Sequence, residues 1–398
     1  MAMMSTTLRS LVNRSLSPFG APAAGQRFGS SEDLLAAAER RTGLSNWGDP
    51  TFRDGLDALL TDIEEVPDLT PLGVATFANM IRQALVNRLR FVDDSSPRGE
   101  LNSPVIITGL PRSGTTALHR LLALDPVFHA PPLWELLDPF SNPSPDLRRW
   151  RTKAQISFKN RLLPDLDQKH YTRADTPEEC TLLLANSFAS PLFWDLAPLE
   201  GYLEWVQAAD QRPVYENYRR QLEILQARHS DRRLLLKAPA HLGNLAVLHE
   251  VVPEAHLIQT HRDPTAAFFS HCSLRETLSS FVMDRPERET IAAQVRRVFE
   301  HDLSANLEFH EADSCEVIHV ACSALSRGPI EVLREVLGRI GIDWTEEAAD
   351  RAAKSRRAQS RGGSGGHRYS REGWGVQKNR VEDLFGDYRS AFSDFVAT

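Results

Sequence analysis

At 398 residues, with 41% hydrophobic and 25% charged side chains, the chain has enough apolar mass for a large core and one or two domains of ordinary size. A formal net charge of -7 argues against a general nucleic-acid binder, so an anionic ligand has to be held by individually placed groups. No run approaches the roughly 20 apolar residues that cross a bilayer, and four cysteines without a CxxC pair suit a reducing, cytoplasmic compartment better than a disulfide scaffold.

Residues 1–31 carry Arg9, Arg14 and Arg27 with no acid before Glu32. They read as a flexible tail whose Leu8, Leu11, Val12 and Leu16 pack on the protein, although the composition also resembles an organellar transit segment. Residues 32–95 read as a helical region, because "SEDLLAAAERRTG" follows serine caps and "PLGVATFANMIRQALVNRLRF" repeats apolar residues at three and four. "VDDSSPRGELNSP" is a polar, proline-bounded linker.

From Val105 short apolar runs alternate with turns and helix patterns: "VIIT", "RLLLK", "HLIQT" and "EVIHV". Such runs read as parallel strands buried on both faces, hence a three-layer, P-loop-like α/β sheet spanning residues 103–350. A mostly helical, aromatic insertion is expected over about residues 127–230. Its Phe188, Phe193, Trp194, Tyr202 and Trp205, with Trp134, supply either an apolar acceptor pocket or plain core. Residues 351–398 read as a lid loop, with four glycines between Gly362 and Gly366, and a final amphipathic helix near "VEDLFGDYRSAFSDFV".

"GLPRSGTT", Gly109 to Thr116, places a glycine turn between a strand and a helix, which gathers backbone N–H groups on one point and makes it an anion site. The Gly109 to Gly114 spacing matches a Walker loop, but Thr115-Thr116 stands where that motif has Lys-Ser/Thr. The cation has moved to Arg112, whose fork of donors suits a phosphate joined to a sulfate, with Ser113, Gly114, Thr115 and Thr116 donating beside it. Ligands in open α/β sheets bind at the carboxyl ends of strands. Lys237 ends "RLLLK" and Arg262 follows "HLIQT", so both are expected at the same rim, with Ser270 two helical turns further on. "HRDP" is not a kinase catalytic loop, since Phe268 stands where that motif has asparagine. Thr176, Pro177 and Glu179 read as a capping box that accounts for Glu178 and Glu179 without catalysis. His119, His241 and His261 lack metal-ligand spacing and read as scaffold, and no metal is expected.

"GLPRSGTT" followed by "HRDPTAAFFS" resembles the two cofactor motifs of sulfotransferases that use 3′-phosphoadenosine 5′-phosphosulfate (PAPS), in particular the bacterial-type branch. "LALDPVFHAPPLWELLDP" and "LLLKAPAHL" also resemble segments of that branch. The resemblance implies that the loop holds the 5′-phosphosulfate, that Arg262 and Ser270 hold the 3′-phosphate, and that Lys237 stabilises the leaving group with Arg112. Glu135 is the expected base for the acceptor proton, with His170 in reserve. His367, Arg368 and Tyr369 in "GGHRYSREGWG" resemble a C-terminal cofactor-contacting motif. The acceptor is a small-molecule, lipid or glycan hydroxyl or amine, and the sequence leaves homo-oligomer formation open. A nucleotide-dependent phosphotransferase and a non-catalytic PAPS-binding module are the alternatives.

Overall fold

The computed structural model describes residues 11–15, 27–93, 97–140, 145–164, 166, 171–345, 347, 350–351, 372–376 and 378–396. Five strands form one sheet: β1 (Val105–Gly109), β2 (Phe128–His129), β3 (Arg233–Lys237), β4 (His256–His261) and β5 (Val317–Ala321). Their order is β2-β3-β1-β4-β5 and every pairing is parallel. The four strands expected from apolar runs are present. β2 was not expected, because two residues are too few to show any periodicity.

Alternation along the strands builds two cores. Ile106, Leu234, Leu236, Leu257 and Val317 pack on one face, whereas Val105, Ile107, Leu235, Ile258 and Ile318 pack on the other. This is the sandwich of helices about a parallel sheet that the continuous apolar runs require. Because β1 lies between β3 and β4, the chain leaves it toward one edge and returns toward the other. That reversal opens a crevice beyond Gly109, where open α/β sheets bind ligands.

The helices Ser31–Thr42, Phe52–Glu65 and Pro71–Val92 fill the expected N-terminal helical region. Ser30 caps the first by accepting from the Asp33 amide, and Thr70 caps the third through the Gly73 amide. Their apolar faces share one core with Phe188, Phe193, Trp194 and Tyr202. At the other end, the expected single terminal helix is three short ones, Lys378–Leu384, Gly386–Ala391 and Ser393–Val396. Phe385 (φ -111°) and Phe392 (φ -115°) leave helical geometry at the two breaks, the first beside the weak helix former Gly386. Val381, Phe385, Tyr388 and Phe392 all reach the core beneath helix Pro264–Val282. Among the described residues no helix is long and apolar enough to cross a membrane. Most of the terminal tail and the glycine-rich lid loop lie outside the described residues.

Candidate active site

The loop after β1 is built around glycine. Gly109 has φ 137°, and a Cβ there would sit 2.3 Å from Thr260 O on β4, so a side chain would push the two paired strands apart. Arg112 at φ 71° and Gly114 at φ 98° then turn the chain into helix Thr115–Leu122. A non-glycine residue held in that region costs about 1–3 kcal/mol, which the surrounding bonds must offset. The Ser113 hydroxyl is one such bond. It turns inward, within 2.6 Å of both Leu110 O and Thr260 Oγ1, and ties the loop to β4. The hydroxyl expected to meet a ligand is therefore committed to the scaffold in this conformation.

Of the groups expected at one rim, Arg112, Arg262 and Ser270 touch one another directly, and Lys237 reaches the loop helix through Thr116. Arg262 Nη1 donates to Arg112 O at 2.9 Å, and Arg112 Nε donates to Ser270 Oγ at 3.1 Å. Asp263, the neighbour that would compete for Arg262, caps the next helix through the Ala266 amide at 2.7 Å and pairs with Arg389 at 3.0 Å. Lys237 is 1% exposed, so it is no solvated strand-end lysine. Its Nζ donates to Thr116 Oγ1 at 3.1 Å and to Glu179 Oε1 at 2.5 Å, joining the loop helix to a carboxylate.

Arg112, Thr116, Glu179 and Arg262 of this cluster border a cavity of about 710 Å³, whereas Lys237 and Ser270 stand behind its wall. Arg112, Gly114, Thr115, Thr116 and Arg262 line it together with Glu178 and Glu179. Much of the remaining wall is apolar, including Leu133, Leu182, Leu192, Leu274 and Leu278. Of the six aromatic residues singled out in the sequence, only Trp194 lines it. Phe188, Phe193 and Tyr202 are wholly buried in the helical core.

Glu135 is placed differently from expectation, for it is not among the residues lining the cavity. Its helix, Leu133–Leu137, is short, and the carboxylate turns to His129 Nε2 at 2.8 Å and His229 Nε2 at 3.0 Å. Burial would raise this carboxyl, but the hydrogen bonds and charges of His129 and His229 outweigh it and hold it at about 2. Such a group is a poor proton acceptor at neutral pH.

The capping-box reading of Thr176, Pro177 and Glu179 is corrected as well. The helix begins at Thr181, and Pro177 instead forms an antiparallel bridge with Pro132. Glu178 N donates to Pro131 O, and Leu133 N to Thr176 O, so the segment runs extended beside the proline-rich turn. These long-range backbone bonds replace local helix bonds and put both glutamates on the cavity wall. Two other titratable groups escaped the sequence reading. His271 and His301 line the cavity, each near a carboxylate, Asp195 at 3.7 Å and Asp302 at 3.1 Å. Burial first, and then Arg275 and Arg112, pushes His271 down to about 3, so it is neutral at pH 7. The one available signal for His271 was its place immediately after Ser270. His170, His367, Arg368 and Tyr369 lie outside the described residues.

Residues 104–346, more than half of the chain, match the sulfotransferase family. Two curated relatives, both named omega-hydroxy-beta-dihydromenaquinone-9 sulfotransferase Stf3, from Mycobacterium bovis and Mycobacterium tuberculosis, are 31% identical over 183 residues. That alignment takes in 44% of this chain and 46% of each relative, so it spans about half the length of the curated relatives. Sulfotransferase STF1 from Mycobacterium tuberculosis superposes with a TM-score of 0.76 at 26% identity, covering 91% of this chain and all of that one. Sulfotransferase STF9 from Mycobacterium avium gives a TM-score of 0.78 at 24% identity, over 91% of this chain and 96% of the other, which is a likeness of fold. With a five-stranded parallel sheet and a family match that covers every strand, the chain belongs to the sulfotransferase family.

Proposed function

We propose that this chain transfers a sulfuryl group from PAPS to a hydroxyl on an apolar acceptor. One observation carries the reading: a rim formed by Arg112, Gly114, Thr115, Thr116 and Arg262, with two guanidinium groups and a helix start, opens into a largely apolar cavity that also holds two carboxylates. The donor would supply the sulfuryl group and a bisphosphate leaving group. Arg112 and the start of helix Thr115–Leu122 offer donors for the phosphosulfate. Arg262 and Ser270 sit against Arg112, where they can hold the 3′-phosphate.

Glu179 takes the role of base in this proposal. It lines the cavity, and its carboxylate lies against Lys237, whose ammonium also touches Thr116 of the loop helix. Accepting the acceptor's hydroxyl proton on Glu179 would leave Lys237 and Arg112 to balance negative charge growing on the bridging oxygen. The apolar wall favours a lipid-like alcohol over a glycan, which would need more polar partners. The curated relatives carry a hydroxylated isoprenoid quinone in their names, and a long-chain hydroxyl of that kind suits this wall.

The deciding experiment pairs binding with turnover. Adenosine 3′,5′-bisphosphate should raise the melting temperature more than ATP with magnesium, and labelled sulfate should pass from PAPS to a hydroxylated isoprenoid. Stabilisation by ATP with magnesium alone would favour a phosphotransferase. Tight bisphosphate binding without transfer to any alcohol would favour a binding module.

A further inference from the structure

We infer that His129, Glu135 and His229 form a binding site for a divalent transition-metal ion, best matched to Zn2+, separate from the transfer cavity. Three donor atoms, one from each residue, lie within 4.8 Å of one another. His129 Nε2 is 2.8 Å from Glu135 Oε2, and His229 Nε2 is 3.0 Å from Glu135 Oε1. Ligand atoms about 2.0–2.2 Å from a tetrahedral zinc ion stand roughly 3.3 Å from one another, so these contacts are close to the spacing of a loaded site. The two imidazole rings stack with centroids 3.4 Å apart and planes 14° apart. Their Nε2 atoms meet different oxygens of the one Glu135 carboxylate, so seating an ion requires one ring to tilt until both in-plane lone pairs converge on it.

The donor set decides the metal class. Two imidazoles and one carboxylate are the ligands of a three-residue zinc site with an open fourth position and are shared with Fe2+ sites, whereas calcium and magnesium prefer oxygen ligands. None of the three residues lines the transfer cavity, so the site does not rest on the proposed reaction. Side-chain exposures of 12% for His129, 6% for Glu135 and 27% for His229 leave an approach for an ion past His229. Arg148 and Arg228 lie near enough to feel the Glu135 charge, and both guanidinium groups are engaged by backbone oxygens, of Asp138 and Pro139 respectively.

The three ligands come from three elements. His129 is the last residue of β2, Glu135 sits in helix Leu133–Leu137, and His229 follows helix Arg212–Arg228. β2 joins the sheet through only two residue pairs, Phe128 with Arg233 and His129 with Leu234. An ion here would fasten that edge strand to the two helices. Binding requires both imidazoles as Nδ1–H tautomers, each with its Nε2 lone pair on the metal in place of an N–H bonded to Glu135.

The full-length protein, stripped with a chelator and dialysed, is titrated with Zn2+ by calorimetry and with Co2+ by visible absorption. One equivalent bound, cobalt ligand-field bands in the visible, and a melting temperature raised by Zn2+ are expected. His129→Ala and His229→Gln should each abolish the cobalt bands and weaken Zn2+ binding at least tenfold, while melting still shows a cooperative folded protein. No saturable binding to the wild-type chain overturns the proposal, as does equal binding by the wild type and both variants.

Discussion

Replacing Glu179 by glutamine removes the charge while keeping the shape of the side chain that lies 2.5 Å from Lys237 Nζ on the cavity wall. A general base contributes about 10²–10⁴-fold, or roughly 3–5 kcal/mol of barrier, so kcat should fall by that factor. Lys237 is 1% exposed and would keep only a neutral oxygen partner beside Thr116, so some stability should go as well. Loss of a partner in a fully buried pair costs about 3–5 kcal/mol. Glu179 has a side chain 28% exposed, which lets water reach the site, and a loss nearer 1–2 kcal/mol is expected. The assay is transfer of labelled sulfate from PAPS to an isoprenoid alcohol under saturating donor, with bisphosphate affinity measured in parallel by calorimetry. Affinity should stay within about threefold, because the Arg112 and Arg262 rim is untouched. Glu135→Gln is the control, and its kcat should stay within about threefold while the protein remains folded. Wild-type turnover by Glu179→Gln, or collapse of turnover in folded Glu135→Gln, would refute the assignment.

Arg262→Ala should weaken adenosine 3′,5′-bisphosphate by about 10–150-fold, as expected for loss of one charged hydrogen bond worth about 1.5–3 kcal/mol, and unchanged calorimetric affinity would remove Arg262 from the clamp. Gly109→Ala should destabilise the fold by at least about 2 kcal/mol in urea unfolding, since the added Cβ would meet Thr260 O at 2.3 Å in a backbone region hostile to alanine, and an unchanged midpoint would contradict that contact. Glu135 has a folded pKa of about 2, below its ordinary 4.5, so its ionised form stabilises the fold above about pH 4.5 and that contribution is lost as pH falls toward 2. In chelator, the stability gap between wild type and Glu135→Gln should therefore be widest above about pH 4.5 and close on acidification, and a gap constant with pH would refute the coupling.

The two placements of glutamate show where sequence reasoning stopped. "WELL" after a proline-rich turn is compatible with a carboxylate turned toward Arg112 or away from it, since a one-turn helix has no apolar stripe long enough to fix its rotation. His229, 94 residues later, decides the matter by offering Glu135 a partner, and "ARHSDRR" carries no sign of it. "ADTPEEC" is likewise a plausible helix start by local chemistry. It is extended because Pro131 and Leu133 supply backbone partners more than 40 residues away in the chain.

The sequence by itself determined the layered parallel sheet, the glycine loop at the end of β1, and the convergence of Arg112, Arg262 and Ser270 on one rim. Those features follow from local rules: strand and helix periods, the freedom of glycine, and the placement of strand ends on one edge of a parallel sheet. Only the tertiary structure decided which carboxylate faces the cavity, that Lys237 is buried against Glu179, and that Glu135 meets two histidines. Each of those depends on side chains brought together across tens of residues by packing, where neither periodicity nor a turn signal constrains the outcome.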